Sequence, residues 1–489
     1  MKEPRPDIID GHIQKVKVGC GTLFIPVGME KGKITEIFLN GSKLGGCYDE
    51  DTDVLTDNGW KKFKEINQIA DRVATLNLKT DELEYQLPLA YQHYYYEGVM
   101  YEITGKGVNL LVTPDHQLLY RRNTKSKKQK EFRLQGIKEV YLKERVLNYP
   151  SIELKKNCIW NNIVDNDVFV LPAYKTSVLS SKNRVFFRTK KERVFNMSDW
   201  LTFLGYYLSE GCTKDGDVSI FQHVESPTFN KIKDVVGRLG LNYNISIRKD
   251  RNNNARIRFF DVQISSYLSQ LGKSEDKFVP REFLNLNREY LEILMRSLME
   301  GDGSLNNGKF RRYSTISQRL ANDVSEILVK LGYGVSISKV KQRDTIVDGR
   351  NIHRHPFGYE VYVSQTNLTP EISSKQIRRV DYKGFVYCCT VPNSTLLVRR
   401  KGKIVWCGNC RANQEGIGRL LSLAFRHDIP IEEIIDQLQL IICPACTRAK
   451  AKLADPDKIK VFPTSCPDAV AKFLQTIVDT NKKETKKEA

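Results

Sequence analysis

Two cysteines and an asparagine frame the middle of this 489-residue chain. Cys47 follows Gly45-Gly46, and Asn409 is followed directly by Cys410. A thiol is partly ionised near neutral pH, so it can attack a neighbouring carbonyl and form a thioester. An asparagine can cyclise through its side-chain amide and cleave the bond that follows it. An acyl-shifting thiol at one end and an Asn-Cys peptide at the other are what a segment needs to cut itself out. Residues 47–409 then read as a passenger, and 1–46 joined to 410–489 as its host.

The elements that must position these groups are short strands. After Cys47, Val54-Leu55 reads as a strand and Asp57-Asn58-Gly59 as a tight turn. Apolar residues alternate through DRVATLNL and GVMYEITGKGVNLLVTPDHQLLY, and the region ends near VFVLPAY. A last such stretch, KGFVYCCTVPNSTLLVRRKGKIVWCGN, closes the passenger. An all-β fold built from both ends would bring Cys47 close to Asn409.

These stretches resemble an intein, the self-splicing element with the Hedgehog/intein fold. CYDEDTDVLT is similar to the family's first block, LLVTPDHQLLY to its TxxH block, and VYCCTVP with GN-C to its last two. The resemblance implies that Cys47 converts the Gly46–Cys47 amide to a thioester. Thr113 and His116 would polarise that amide, with His116 as proton donor to the leaving nitrogen. Cys410 would then capture the acyl group, Asn409 would cyclise, and an S-to-N shift would leave a Gly46–Cys410 bond. Two departures stand out. Gly408 occupies the place of a histidine before the terminal asparagine, and Cys388 that of an aspartate, where it would assist acyl transfer. Any one of these residues alone reads as buried filler or a plain turn; the blocks occur together and in order.

Inside the passenger the sequence repeats itself. FLGYYLSEG (203–211) corresponds to MRSLMEGDG (295–303), and GRLGLNYNISIRK (237–249) to VKLGYGVSISKVK (329–341), at one offset of 92 residues. Each copy opens with an apolar helix ending in acid-Gly. Gly205, Ser209, Ser297 and Gly301 are small enough to let the two helices approach, which places Glu210 beside Asp302. Adjacent carboxylates repel unless a divalent cation such as Mg²⁺ lies between them. Oxygen-only ligands suit metal-activated water and phosphodiester hydrolysis. These residues resemble the two-motif, single-chain LAGLIDADG homing endonucleases. The resemblance implies Glu210 and Asp302 as metal-binding catalytic acids, and Lys277 (in DKFVP) and Lys341 as catalytic basic residues that would polarise water or stabilise the pentavalent phosphate. The ribbon NISIRKDRNNNARIRFFDVQIS carries Arg248, Lys249, Arg251, Arg256 and Arg258, and its second copy Lys339, Lys341, Arg343 and Arg350. A basic sheet of this kind fits the major groove of double-stranded DNA, and its phosphate contacts make binding salt-dependent.

Charge follows the same division. The flanks 1–46 and 410–489 each carry a net +2, so the 363 residues between them hold +15 of the overall +19. A basic middle between near-neutral flanks points to a polyanionic partner for the middle alone. No run of about 18 apolar residues occurs, which excludes a transmembrane helix, and MKEPRPDIID lacks the apolar core of a signal peptide. The expected location is cytoplasmic, where eleven cysteines read as thiols or metal ligands.

Joined, the flanks make 126 residues: a hairpin from GTLFIPV and KITEIFLNG, then helices in EGIGRLLSLAFRHD, IPIEEIIDQLQLI and CPDAVAKFLQTIV, with Ser465 near the last N-cap. The tail NKKETKKEA reads as disordered. The flanks resemble the TSCPD domain through Thr464-Ser465-Cys466-Pro467-Asp468. That domain ends adenosylcobalamin-dependent ribonucleotide reductases and also occurs alone. A ribonucleotide reductase is therefore an expected partner, although this chain has no room for the radical-bearing barrel. Cys443-Pro-Ala-Cys446 has metal-knuckle spacing, and Cys20 and Cys466 would complete a zinc site; the rival reading is reduced thiols or a redox pair.

The expected fold class is multidomain. It comprises a discontinuous all-β splicing domain (47–172 and 377–409), an α/β pseudo-two-fold endonuclease (173–376) and a small α+β host domain (1–46 and 410–489). The rival function is a DNA-binding accessory protein of ribonucleotide reductase that never excises its insert.

Overall fold

Alternating apolar residues on both sides of Cys47 become strands in the computed structural model. It describes residues 10–18, 21–30, 33–41, 46–123, 131–146, 151–162, 167–179, 185–248, 253–347, 350–352, 355–409, 413–442, 446–447, 450–451, 453, 455 and 461–488. The chain is mixed α/β and divides into two compact units. One comprises 1–47, 388–390 and 409–489; the other comprises 48–387 and 391–408. The cuts at 47/48 and 408/409 fall at the framing Cys47 and Asn409.

In the first unit, Gly21–Glu30 pairs antiparallel with Lys33–Ile37, as the hairpin reading expects. A strand not anticipated, Asp10–Val18, pairs with the other edge of Gly21–Glu30. Helices Asn413–Phe425, Ile431–Leu438 and Cys466–Glu488 follow. Residues from both flanks share one core: Leu23, Ile25, Val27 and Ile37 pack with Leu421, Ile435, Val470 and Leu474. The Ser422 hydroxyl accepts from Ile37 N at 3.0 Å, and a Cβ on Gly418 would lie 3.2 Å from Ile37 O. Ser465 caps the last helix through Asp468 N at 3.1 Å. That helix continues to Glu488, so the tail expected to be disordered is helical. The segment has almost no apolar residues to mark it as ordered, but Lys and Glu are good helix formers once a packed helix precedes them.

The second unit begins with strands from both ends of the passenger. Ala90–Thr104, Asn109–Val112, Tyr48–Asp49 and Ile377–Thr390 close into a barrel. Asp53–Thr56 turns into Gly59–Lys62 and pairs with Thr395–Arg400, which forms a hairpin with Lys403–Gly408.

The internal repeat is visible in the topology. The sheet Gly211–Lys214, Asp217–His223, Asn254–Phe260, Tyr243–Arg248 has the same strand order as Gly303–Asn306, Lys309–Thr315, Phe357–Ser364, Gly334–Lys341. The last strand of the second copy is displaced by an extra hairpin, Thr345–Val347 with Arg350–Ile352, which ends the constant offset. VQIS, read as ribbon, lies in the helix Val262–Ser269, because Asp261 caps it through Gln263 N and Ile264 N. Val168–Leu171 pairs with Arg193–Asn196, and Phe169 and Leu171 join the core of the repeat.

The second copy continues directly into the strands from the passenger's ends. Gly334–Lys341 lies beside Lys403–Gly408, and Ile337 N donates to Gly402 O at 2.8 Å. Gly402 has φ +73°, and a Cβ there would lie 1.9 Å from Ile337 O, so only glycine permits this seam.

Candidate functional site

Two clusters of chemically active side chains lie in the second unit. The first is assembled by Tyr48, which follows Cys47 in the chain. Its strand is held between Val112 and Tyr387. Thr113-Pro-Asp-His116 forms a turn after Val112, with His116 N donating to Thr113 O at 3.0 Å. Thr113 and His116 are both buried. The Tyr48 ring packs edge-on against the His116 imidazole at 4.4 Å, and its hydroxyl donates to Gly408 O at 2.7 Å. Gly408 precedes Asn409, so one tyrosine ties together the residues adjoining both candidate cleavage points. Cys407 completes the cluster, with its sulfur 3.1 Å from His116 Nε2.

Beside this cluster Arg400 Nε donates to Asp49 Oδ2 at 2.9 Å, while Thr52 donates to Asp49 Oδ1 at 2.6 Å. Burial raises the Asp49 carboxyl, and Arg400 and Thr52 oppose the rise. The pair locks the strand carrying Tyr48 to the final hairpin.

The geometry explains the departure at Gly408. A Cβ there would lie 2.5 Å from Gln117 O and 2.6 Å from Gln117 Cβ. The backbone of the TxxH strand occupies the space that a histidine side chain would need.

Cys47, Cys388 and Asn409 fall in the first unit, and each is buried. The Cys388 thiol donates to Cys389 O at 3.5 Å. Cys410 lies outside the described residues, as do Cys20 and Cys443 of the candidate zinc set; Cys446 is buried and Cys466 half-buried.

The second cluster sits at the ends of two helices, α1 (Met197–Glu210) and α2 (Arg288–Asp302). They pack at two positions related by the repeat. A Cβ on Gly205 would lie 2.0 Å from Ser297 Oγ, and one on Gly301 would lie 2.4 Å from Ser209 Cβ. Glycine against serine at both crossings lets the backbones approach and brings the terminal acids together. Burial pushes Asp302 up to about 7, helped by the negative charge of Glu210 and opposed by Lys277. Glu210 is raised by burial and opposed by Lys277. Two half-buried carboxyls whose ionisation burial disfavours fit a hard divalent ion.

Lys277 is buried and donates to Tyr207 O at 2.9 Å, Leu208 O at 2.9 Å and Gly211 O at 2.8 Å. All three ammonium protons therefore cap α1, which holds Glu210 in place. Burial lowers Lys277 to about 8, opposed by Asp302, Cys212 and Glu210. Lys341 is exposed at the end of its strand.

Among the basic residues expected on the sheets, Arg256 donates to Ser219 Oγ at 2.9 Å, and Arg258 is held by Asp217 at 2.8 Å. Lys339 Nζ lies 4.3 Å over the Phe357 ring, and Arg343 is exposed. Arg248 ends its strand, and Arg350 opens a strand of the extra hairpin. Lys249 and Arg251 lie outside the described residues.

Sequence reasoning missed Cys407, Tyr48 and the Asp49–Arg400 pair. One signal for the barrel was available: Tyr96-x-Gly98-x-x-Tyr101 recurs as Tyr382-x-Gly384-x-x-Tyr387. The first tyrosine of each bonds the carbonyl three residues on, at 2.9 Å in both arms.

The TSCPD domain family model matches residues 395–478, a stretch that runs across the 409/410 junction. The chain is 28% identical to the ATP-dependent Clp protease proteolytic subunit of Chlamydomonas moewusii, over 65% of this chain and 32% of that protein. It is 24% identical to the DNA-directed RNA polymerase subunit beta C-terminal section of Stigeoclonium helveticum, over 82% of this chain and 41% of that one. It is also 24% identical to the ribonucleoside-diphosphate reductase subunit beta of Aquifex aeolicus, over 76% and 51%. The chain thus spans a third to a half of the length of these relatives. Among solved structures, I-DmoI in complex with DNA and Ca is 16% identical, with TM-score 0.25, covering 35% of this chain and 84% of that one. The N-terminal LAGLIDADG domain of DUF199/WhiA is 11% identical, with TM-score 0.23, covering 35% and 78%. The chain is similar to an intein with a LAGLIDADG endonuclease set in a TSCPD host.

Proposed function

We propose that this protein is a splicing precursor. Residues 47–409 excise themselves and join Gly46 to Cys410, and the excised segment is an endonuclease for double-stranded DNA. The observation that carries the reading is the division of the chain. Residues on both flanks share one apolar core, and the unit boundaries fall at Cys47 and Asn409. The Tyr48–Gly408 bond supports it, because it joins the inner sides of the two cleavage points. So do the relatives: a protease, a polymerase and a reductase are named for different chemistries, yet the polymerase match, at 82% of this chain, necessarily includes most of 47–409.

In this reading Cys47 is the first nucleophile, Cys410 the second, and Asn409 the cyclising residue. Thr113 and His116 act on the first amide, and Cys388 assists acyl transfer. Glu210 and Asp302 hold Mg²⁺, which when bound supplies activation of water and charge stabilisation at phosphate. Lys277 acts by holding the end of α1, and Lys341 lies on the DNA-facing sheet. The host is a TSCPD domain that works with a ribonucleotide reductase, and its cysteines Cys20, Cys443, Cys446 and Cys466 are candidates for zinc.

Freshly made precursor tests the proposal. It should yield a ligated 126-residue product and a 363-residue product, and Cys47→Ala with Asn409→Ala should abolish both. A precursor that stays at full length under every condition overturns splicing and leaves the accessory-protein reading. DNA cleavage should require Mg²⁺ together with both Glu210 and Asp302.

A further inference from the structure

Cys407 has no role in the chemistry described so far, yet its sulfur lies 3.1 Å from Nε2 of His116. Both residues are buried. Burial pushes the Cys407 thiol up to about 12, so it stays protonated throughout the physiological range. Gln117 O lies 3.6 Å from the sulfur, within reach of the thiol hydrogen. A protonated thiol that spends its hydrogen on a carbonyl can only accept toward the imidazole. Its partner must then be an N–H, which puts the proton of neutral His116 on Nε2 and leaves Nδ1 as the nitrogen that can take up and release a proton.

We propose that Cys407 is a positioning residue for His116, a buried sulfur that selects the Nε2–H tautomer and so assigns proton transfer to Nδ1. The inference rests on the splicing reading. In the first step the Cys47 sulfur bonds to the Gly46 carbonyl carbon, the carbon–nitrogen bond breaks, and the thiol proton ends on the Cys47 nitrogen. No proton is gained or lost overall. The group that relays it must therefore return to its starting tautomer after each passage. A sulfur fixed on the other nitrogen enforces that return. Tyr48 completes the constraint, because its ring packs on the imidazole at 4.4 Å while its hydroxyl is anchored on Gly408 O. Gly408 has no room for a side chain, so Cys407 is the nearest residue before Asn409 that can reach the imidazole.

The test uses the full chain carrying Asn409→Ala, with and without Cys407→Ala or Cys407→Ser. Selective ¹⁵N labelling of histidine, with His116 assigned by its loss in His116→Gln, reads the tautomer. Hydroxylamine-triggered cleavage between Gly46 and Cys47 reads thioester formation. The parent should show Nε2–H at His116. Cys407→Ala should lose that signature and slow cleavage at least tenfold, whereas Cys407→Ser, whose hydroxyl also accepts, should retain the tautomer and most of the rate. An Nδ1–H tautomer in the parent overturns the proposal even if the alanine variant fails to fold. So does a Cys407→Ala protein with unchanged tautomer and rate. If hydroxylamine cleaves nothing in the parent, the splicing reading falls, and the tautomer signals still decide whether Cys407 holds His116.

Discussion

The acid pair at the ends of α1 and α2 should make the protein less stable as pH rises, unless a divalent cation is supplied. In the unfolded chain Asp302 ionises near its ordinary value of 3.8, whereas in the folded protein it holds its proton to about 7. A carboxyl raised on folding contributes stability that is fully present below the unfolded pKa and is lost as pH rises through the folded one. One pH unit in that window corresponds to roughly 1.4 kcal/mol. Between pH 5.5 and 7 Asp302 should therefore remove about 2 kcal/mol. Glu210, raised in the same direction, adds to the effect. Asp302→Asn is neutral at every pH and lacks the Asp302 contribution. Urea unfolding in EDTA at pH 5.5, 6.2, 7.0 and 8.0 should show the variant gaining on the parent by about that amount. Millimolar Mg²⁺ should reverse the trend in the parent alone. A gap that stays constant across the series in EDTA, or one that Mg²⁺ leaves untouched, would refute the electrostatic account of the pair.

Three further outcomes follow from contacts elsewhere. Gly408→His should force the TxxH strand away from the final hairpin and cost about 1–3 kcal/mol as an overpacked site, seen as a lower melting temperature and slower, not faster, asparagine cyclisation. Lys277→Met removes three N–H···O bonds from the end of α1. It should abolish DNA cleavage and lower the urea midpoint, while precursor splicing at 25 °C continues. Glu326, fully buried on the helix Gln318–Lys330, accepts from Arg281 at 2.6 Å and 2.9 Å and from Lys330 at 2.8 Å. Burial pushes its carboxyl up, but Lys330 and Arg281 outweigh that and hold it below the usual range. Its contribution is present at neutral pH and lost on acidification. Glu326→Ala should strand the buried Lys330 and the half-buried Arg281 at a cost of about 3–5 kcal/mol, measured by denaturant unfolding.

That Glu326 cluster shows how the two parts of the second unit are joined. Tyr85 donates to Glu326 at 3.1 Å, Lys330 Nζ lies 4.5 Å over the Trp160 ring, and Trp60 donates to Ser325 at 3.1 Å. Arg399 bridges Asp53 and Asn322. These contacts, with the Ile337–Gly402 seam, tie the repeat to the strands that carry Tyr48 and Gly408.

The local pattern of residues was enough to locate the framing thiols, the two acid-Gly helices and the hairpins. Each of those depends on spacings of a few residues or on a repeat that compares the chain with itself. Gly205 against Ser297 and Ser209 against Gly301 were legible because helix crossings select small residues at a constant offset. The contacts of Lys277, Cys407 and Gly408 were not legible. Lys277 caps carbonyls 66 to 70 residues away, Cys407 meets a histidine 291 residues away, and Tyr48 reaches Gly408 across 360. A lysine before a helix, a cysteine in a strand and a glycine near a terminus have many meanings when read along the chain. Only closure of the barrel and the final hairpin decides which atoms face one another. So the chain order states which chemistry is available at Cys47, His116 and Asn409. The tertiary structure decides which sulfur meets the His116 imidazole, why position 408 holds no side chain, and which lysine caps the helix that ends in Glu210.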